Sequence, residues 1–211
     1  MIELPSGCVK QRDKKTYGVR VTPPAGMLTP DDLETVARVA RKYAVPVLKI
    51  TSGQRLTLLG LKEDEVGPVC DELPFKVAGH YVQACPGNQW CQFGVQDALE
   101  MAAEVEKRFS CATVPAKLKL GVSGCFICCA ESYVRDLGLV GTRKGWTVLV
   151  GGSSGCSARV ADVLAEEQSQ SQALDLIARF LDYYRENALI MQRVPHFLEE
   201  RGIETVRRAL V

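Results

Sequence analysis

Three things are missing from this sequence, and each absence excludes a class of function. Charge of one sign is missing. The 26 basic and 25 acidic residues leave a net charge of +1, without the strong basic excess that marks a general nucleic-acid binder. Any positive field must be local. Long apolar runs are missing too: none approaches the roughly 18–20 residues that span a bilayer. The opening MIELPSGCVKQRDKK has no apolar stretch of the kind found in a secretion signal. Finally, no G-x-G-x-x-G follows a strand-like segment, so direct NAD(P)H binding is not expected. These absences predict a soluble, cytoplasmic protein with no membrane and no nucleic-acid partner.

Cysteine is plentiful. Nine occur in 211 residues, an odd number without a secretion signal, which argues for thiolates with chemistry to perform over a disulfide framework. Cys8, Cys70 and Cys111 stand alone and read as small buried hydrophobes. Cys156 lies in a glycine-rich loop and its role stays open. The remaining five fall in two short segments.

Periodicity divides the chain at about residue 77. Before it, Tyr17–Thr22 reads as a strand. Thr29, Pro30, Asp31 and Asp32 form a helix start, with a hydroxyl cap and acids in the first turn. Leu33, Val36, Ala37, Ala40 and Tyr43 fall on one helical face, and Pro46 closes that helix. Strands follow at Val47–Thr51 and Arg55–Leu59, then a helix over about Glu63–Leu73. This order predicts an α+β, ferredoxin-like half-domain over residues 1–77. Residues 78–211 predict an α/β domain with a helical C-terminal part. Its strands are expected near His80–Ala84, Lys117–Val122 and Trp146–Val150, and a flexible loop over Gly151–Gly155. A helix is expected to begin near Cys91, and the last third is expected to be helical, with Leu174, Ile177, Leu181 and Tyr184 as one stripe.

Cys85, Cys91, Cys125 and Cys129 make a C-x5-C pair and a C-x3-C pair. Four thiolates suit zinc or an iron–sulfur cluster. Structural zinc knuckles usually use C-x2-4-C, and x5 is wide for them. A cubane accepts thiolates from more separated loops, so the spacing favours [4Fe–4S]. A helix beginning at Cys91 would also favour a negative cluster.

More than the cysteines carries a resemblance. Trp90-Cys91 with Phe93-Gly94-Val95-Gln96-Asp97, Pro115 with Lys117 and Lys119, Val122-Ser123-Gly124-Cys125, Cys129-Ala130-Glu131 and Gly145-Trp146 resemble sirohaem-dependent sulfite and nitrite reductases. So do Lys49–Gly60, Gly151-Gly152 with Arg159, and the tail from Tyr183 to Arg193. The similarity runs over nearly the whole chain, and these motifs resemble those of the large subunit of assimilatory nitrite reductase. The single-unit size looks like that of the low-molecular-weight, assimilatory-type sulfite reductases. Four positions depart from the pattern. Phe126 replaces a proline, Cys128 replaces a small or polar residue, and Gln92 stands where nitrite-reductase relatives carry arginine. An arginine about two residues before Arg55 is usual in the sulfite reductases. The flavin and nucleotide domains of the nitrite reductases are absent.

The resemblance implies a [4Fe–4S] cluster on Cys85, Cys91, Cys125 and Cys129, coupled to a sirohaem through Cys129, with adjacent Cys128 as the competing bridge. It implies six-electron reduction of sulfite to sulfide or nitrite to ammonia, with cofactors carrying the electrons. Lys117, Lys119 and Arg55 are then the candidates to neutralise and protonate the small oxyanion. Arg159 is the candidate for the sirohaem carboxylates; Arg135, Arg143 and Lys144 are weaker ones. His80 and His196 match no ligand position and read as structural. One unit in place of the two found in larger relatives implies a homodimer, and the absent flavin domain implies an external donor such as a ferredoxin. A noncatalytic cofactor-carrying or electron-transfer protein is the competing reading, and a structural zinc protein the third.

Overall fold

A computed structural model describes residues 4, 7–75, 77 and 80–210. The chain forms two compact units, Met1–Gly79 and His80–Val211. The expected division between 77 and 78 falls where residues 76, 78 and 79 lie outside those described.

The first unit is a four-stranded antiparallel sheet with two helices. Its strands are β1 (Cys8–Lys10), β2 (Tyr17–Val21), β3 (Val47–Ile50) and β4 (Leu56–Leu61), in the order β1-β2-β4-β3. Helix α1 (Pro30–Lys42) connects β2 to β3 across β4, the split β-α-β connection of ferredoxin-like folds. Thr29 starts α1 with a full capping box. Its hydroxyl accepts from the Asp32 amide at 3.1 Å, and the Asp32 carboxylate accepts from the Thr29 amide at 2.8 Å. Helix α2 (Val66–Glu72) follows a 3-10 turn over Glu63–Glu65. One side of the sheet and the two helices close a core of Tyr17, Val19, Val36, Val39, Leu56, Leu58, Leu61, Val66 and Val69. Each such large side chain contributes about 1.5–3 kcal/mol by leaving water. Edge strand β3 is exposed along its whole length, and β1 was not apparent from its three polar and mixed residues.

The second unit carries a five-stranded mixed sheet: β5 (Tyr81–Ala84), β6 (Lys119–Ser123), β7 (Leu137–Thr142), β8 (Gly145–Val150) and β9 (Asp162–Gln168), in chain order. Strands β5, β6 and β7 run parallel, whereas β7, β8 and β9 are antiparallel. Two helices separate β5 from β6: the four-residue α3 (Gly87–Trp90) and α4 (Ala98–Phe109). Helices α5 (Gln170–Asn187), α6 (Val194–Arg201) and α7 (Ile203–Leu210) complete the unit. The stripe Leu174, Ile177, Leu181 and Tyr184 is buried as its spacing predicts.

Two local expectations need correction. Cys91 does not begin a helix. It is the extended residue ending α3, its amide donating back to the Gly87 carbonyl at 2.9 Å, and the next helix starts six residues later where Asp97 caps the Glu100 amide. The last third is not wholly helical, because β9 precedes α5. The loop after β8 is closed by reciprocal bonds between Ser153 and Arg159, each amide donating to the other's carbonyl at 2.9 Å.

Candidate cluster and sirohaem site

Parallel pairing brings the two cysteine segments together. Ala84 lies opposite Val122 in neighbouring strands β5 and β6, so Cys85 and Cys125 both emerge just beyond the C-terminal ends of the strands. That end is where open parallel sheets bind ligands. The Cys85 amide still donates to the Val122 carbonyl at 3.1 Å. Gly124 then ties the segments to each other. Its amide donates to Cys85 Sγ at 3.1 Å, and its carbonyl accepts from the amides of Val95 and Gln96 at 2.9 and 3.0 Å. A side chain is excluded there, since a Cβ on Gly124 would meet the Gln96 carbonyl oxygen at 2.7 Å.

The Cys125–Cys129 turn is held from below by Ser123. Its buried hydroxyl accepts from the Ala130 amide at 3.2 Å and lies 2.8 Å from the Ser132 hydroxyl, which donates to the Leu139 carbonyl. Cys128 adopts a left-handed conformation (φ 58°). Its side chain packs against Val140, Leu149 and Ala161, and its sulfur sits 3.7 Å from the Ser123 hydroxyl. Cys129 is exposed, while Cys125 is buried and Cys85 and Cys91 are partly buried. Adjacent in sequence, Cys128 and Cys129 therefore occupy different environments.

The sulfurs sense one another. Partial desolvation raises the Cys129 thiol above its ordinary value, and charge on Cys85, Cys125, Cys91 and Cys128 raises it further. A thiolate surrounded by thiolates needs cationic metal to offset it. Among the described residues, no three His, Cys, Asp or Glu side chains close around the position of one metal ion. A cubane takes each thiolate at a different iron, which calls for a wider arrangement than the tetrahedron around one zinc. The donor set and the amide–sulfur bond to Cys85 fit a cluster.

Apolar side chains flank the two segments: Trp90, Phe93 and Phe126 are exposed, the last at 83%. A cavity of about 530 Å³ lies beside Phe93 and Phe126, lined also by Gln92, Val95, Thr142 and Arg143. Apolar walls and one guanidinium suit a flat macrocycle with acidic substituents.

The other expected residues fall elsewhere. Lys117 and Lys119 alternate with buried Ala116, Leu118 and Leu120, and so share a face, although β6 begins only at Lys119. They stand at the far end of β6 from the cysteine turn: Lys119 is about 13 Å from Ser123 at the rise of a strand, and Lys117 lies two residues further back. Arg159 is engaged within its own unit: it donates to the Gly151 carbonyl at 2.8 Å and pairs with Asp162 at 2.5 Å and Glu199 at 3.8 Å. The amides of Gly151, Ser153 and Gly155 likewise have internal acceptors. Arg55 belongs to the first unit, where it is buried immediately before β4. His80 is structural, as expected: Nδ1 accepts from the Leu118 amide and Nε2 reaches the Ala112 carbonyl, both at 3.0 Å.

Asp136 was not apparent from the sequence. It is fully buried, bound by Arg193 and by the Lys119 amide. A lone acid before a strand gives no signal of a partner 57 positions away. Arg135 was underrated as well, being buried against Gln83, Ser154 and Glu131.

Comparison with known proteins decides the family. The nitrite and sulphite reductase 4Fe-4S domain matches residues 80–211, and the nitrite/sulfite reductase ferredoxin-like half domain matches residues 9–74. The chain belongs to the nitrite and sulfite reductase family. As a member of it, this oxidoreductase carries a [4Fe–4S] cluster and a sirohaem. The assimilatory-type sulfite reductase of Nitratidesulfovibrio vulgaris is 50% identical, with both chains covered in full. The nitrite reductase [NAD(P)H] of Bacillus subtilis is 35% identical over 92% of this chain, which spans only 25% of that protein. Among solved structures, dissimilatory sulfite reductase I superposes on 92% of this chain and 69% of its own, with a TM-score of 0.83 at 13% identity. That likeness is one of fold.

Proposed function

We propose that this family member reduces sulfite to sulfide, with nitrite to ammonia as the close alternative, and that Cys85, Cys91, Cys125 and Cys129 hold its cluster. The observation that carries the reading is Gly124, which bonds the Cys85 sulfur while its carbonyl fixes the segment after Cys91. Cofactors of this kind supply the electrons that no side chain can. The chain's own residues orient, shield and neutralise. Cys129 is the bridging thiolate: it is exposed, whereas Cys128 is turned into the core beside Ser123. Lys117 and Lys119 supply positive charge for the anion, at a distance that rules them out as partners of the cluster itself. From its motif, Arg55 of the first unit is a further candidate to neutralise the anion. Arg143, at the cavity wall, supports the anionic cofactor better than Arg159, whose guanidinium already has internal acceptors.

Full-length identity of 50% to an assimilatory-type sulfite reductase supports sulfite over nitrite. An external carrier such as a ferredoxin delivers the electrons. The protein acts in the cytoplasm and as a homodimer; edge strand β3 supports the dimer by exposing Val47, Leu48 and Ile50 along unpaired backbone. The visible spectrum of anaerobically purified protein, followed by sulfite- and nitrite-dependent oxidation of reduced methyl viologen, tests the reading. A sirohaem spectrum with turnover of sulfite ahead of nitrite is expected. A full spectrum without turnover of either anion would instead establish the cofactor-carrying alternative, toward which the departures at Gln92 and Phe126 point.

A further inference from the structure

The first unit contains only two cysteines, Cys8 and Cys70, and they meet. Cys8 opens the three-residue edge strand β1, and Cys70 lies in α2. Though 62 positions apart in sequence, their sulfurs are 3.9 Å from each other. Both side chains are partly buried against the same core cluster. If their role were to fill space, nothing would bring the two sulfurs together, since any small apolar residue packs as well at either position.

We infer that Cys8 and Cys70 are a redox-active thiol pair that closes to a disulfide on contact with a small-molecule disulfide oxidant. A disulfide bond is about 2.05 Å long, so the sulfurs must approach by about 2 Å. Adjusting the two side chains, with a small shift of a strand paired on one side only, covers that distance. The reaction is a two-step exchange. Cys8, as a thiolate, attacks one sulfur of the oxidant and displaces a small thiolate. Cys70 then attacks the Cys8 sulfur and displaces the second. Two protein thiols and one small disulfide become one protein disulfide and two small thiols; the protein loses two electrons and the oxidant gains them. The thiol protons pass to the departing thiolates.

Order follows from surroundings. Burial raises both thiols, that of Cys70 to about 12 with help from the charge of Cys8 and Asp71, whereas the bond from Cys70 partly offsets the rise at Cys8. Cys8 therefore ionises first and makes the first attack. Once formed, the bond fastens β1 to α2 across a long loop, which restricts the unfolded chain.

The test uses the cofactor-loaded protein, kept anaerobic so that the visible spectrum reports an intact cluster. It is incubated with oxidised glutathione, blocked with N-ethylmaleimide and digested with trypsin without reduction. Cleavage isolates Met1–Lys10 and Glu63–Lys76 from every other cysteine. A linked pair of these peptides, released by reductant and absent from Cys70→Ser, is the expected result. It should accompany a rise of several degrees in the thermal midpoint that Cys70→Ser does not show. Cys8→Ser, on the edge strand, serves if Cys70→Ser does not fold. Both peptides recovered as maleimide adducts, or as separate glutathione adducts, would overturn the inference.

Discussion

Arg193 holds both oxygens of Asp136: Nη2 lies 2.7 Å from Oδ1 and 2.8 Å from Oδ2, with Nε 3.2 Å from Oδ1. Asp136 Oδ2 also accepts from the Lys119 amide at 2.8 Å, so one buried carboxylate fixes the start of β6 and the approach to α6. Burial raises the Asp136 carboxyl, against the opposing pull of Arg193 and the Lys119 amide.

Removing the guanidinium leaves that charge buried and unpaired. Arg193→Ala is expected to lower stability by about 3 kcal/mol. Its pH dependence has a definite sign. With the pairing lost, the folded-state carboxyl rises further above its unfolded value, and ionising it opposes folding. Stability is then present below the folded value and lost as pH rises through it. The deficit of Arg193→Ala against the parent should therefore shrink between pH 7 and pH 5.5, as measured by denaturant unfolding at both. An equal deficit at the two pH values would show that Asp136 does not titrate in the variant.

Cys128→Ser and Cys129→Ser separate two neighbours in different surroundings. Cys128 packs against Val140, Leu149 and Ala161, so its replacement should lower stability by about 1 kcal/mol and leave the visible and paramagnetic spectra intact. Cys129→Ser should abolish the coupling between cluster and sirohaem. Equal spectra from the two variants would remove Cys129 from its bridging role.

Much of this architecture was legible in the sequence. Thr29 and Asp32 announced α1 because both halves of a capping box lie within one turn. The flanking motifs brought four cysteines to one expected centre. What stayed hidden has physical reasons. Strand β7 is interrupted by Gly138 and Gly141, which are needed where a Cβ would meet the Ser132 carbonyl oxygen at 2.3 Å or the Gly124 carbonyl oxygen at 2.7 Å; glycine chosen for close approach masks a strand pattern. Strand β9 reads as polar because it is a half-buried edge that carries Glu166, Glu167 and Gln168. Cys91 was expected at a helix start because apolar spacing begins nearby, but Asp97 is the stronger cap. The Asp136–Arg193 pair joins segments with no local relation, and only the folded chain reveals it.

Gly124→Ala tests the link between the cysteine segments. The added methyl meets the Gln96 carbonyl oxygen at 2.7 Å and the Gly87 Cα at 3.0 Å, both backbone. Relief requires moving Gly124 away from Cys85 and loosening two backbone bonds. Iron and acid-labile sulfide per chain are expected to fall by more than half after anaerobic purification, with the first unit's fold retained. Full iron content in the variant would mean that the two segments assemble around a cluster without this contact.

Lys117 and Lys119 separate substrate chemistry from cofactor binding, because the length of β6, about 13 Å, lies between Lys119 and the segment that carries Cys125. Lys119 is half-buried and its amide is fixed by Asp136, so its position is set; Lys117 is exposed, with its ammonium 5.8 Å from the Tyr81 ring centre. An ammonium that stabilises charge developing on a bound oxyanion contributes about 10²–10³ in rate. Lys119→Met should therefore lower kcat/KM for sulfite by that factor while iron content and the sirohaem spectrum stay unchanged. Lys117→Met should lose less, since an exposed charge is partly screened, and its loss should diminish as ionic strength rises. Arginine at 119 keeps the charge but not the compact, mobile donor, so partial recovery is expected. Parent-like kcat/KM in both methionine variants, with sulfite below KM, would make these lysines surface charges and move the anion's counter-charge to Arg55 or Arg143.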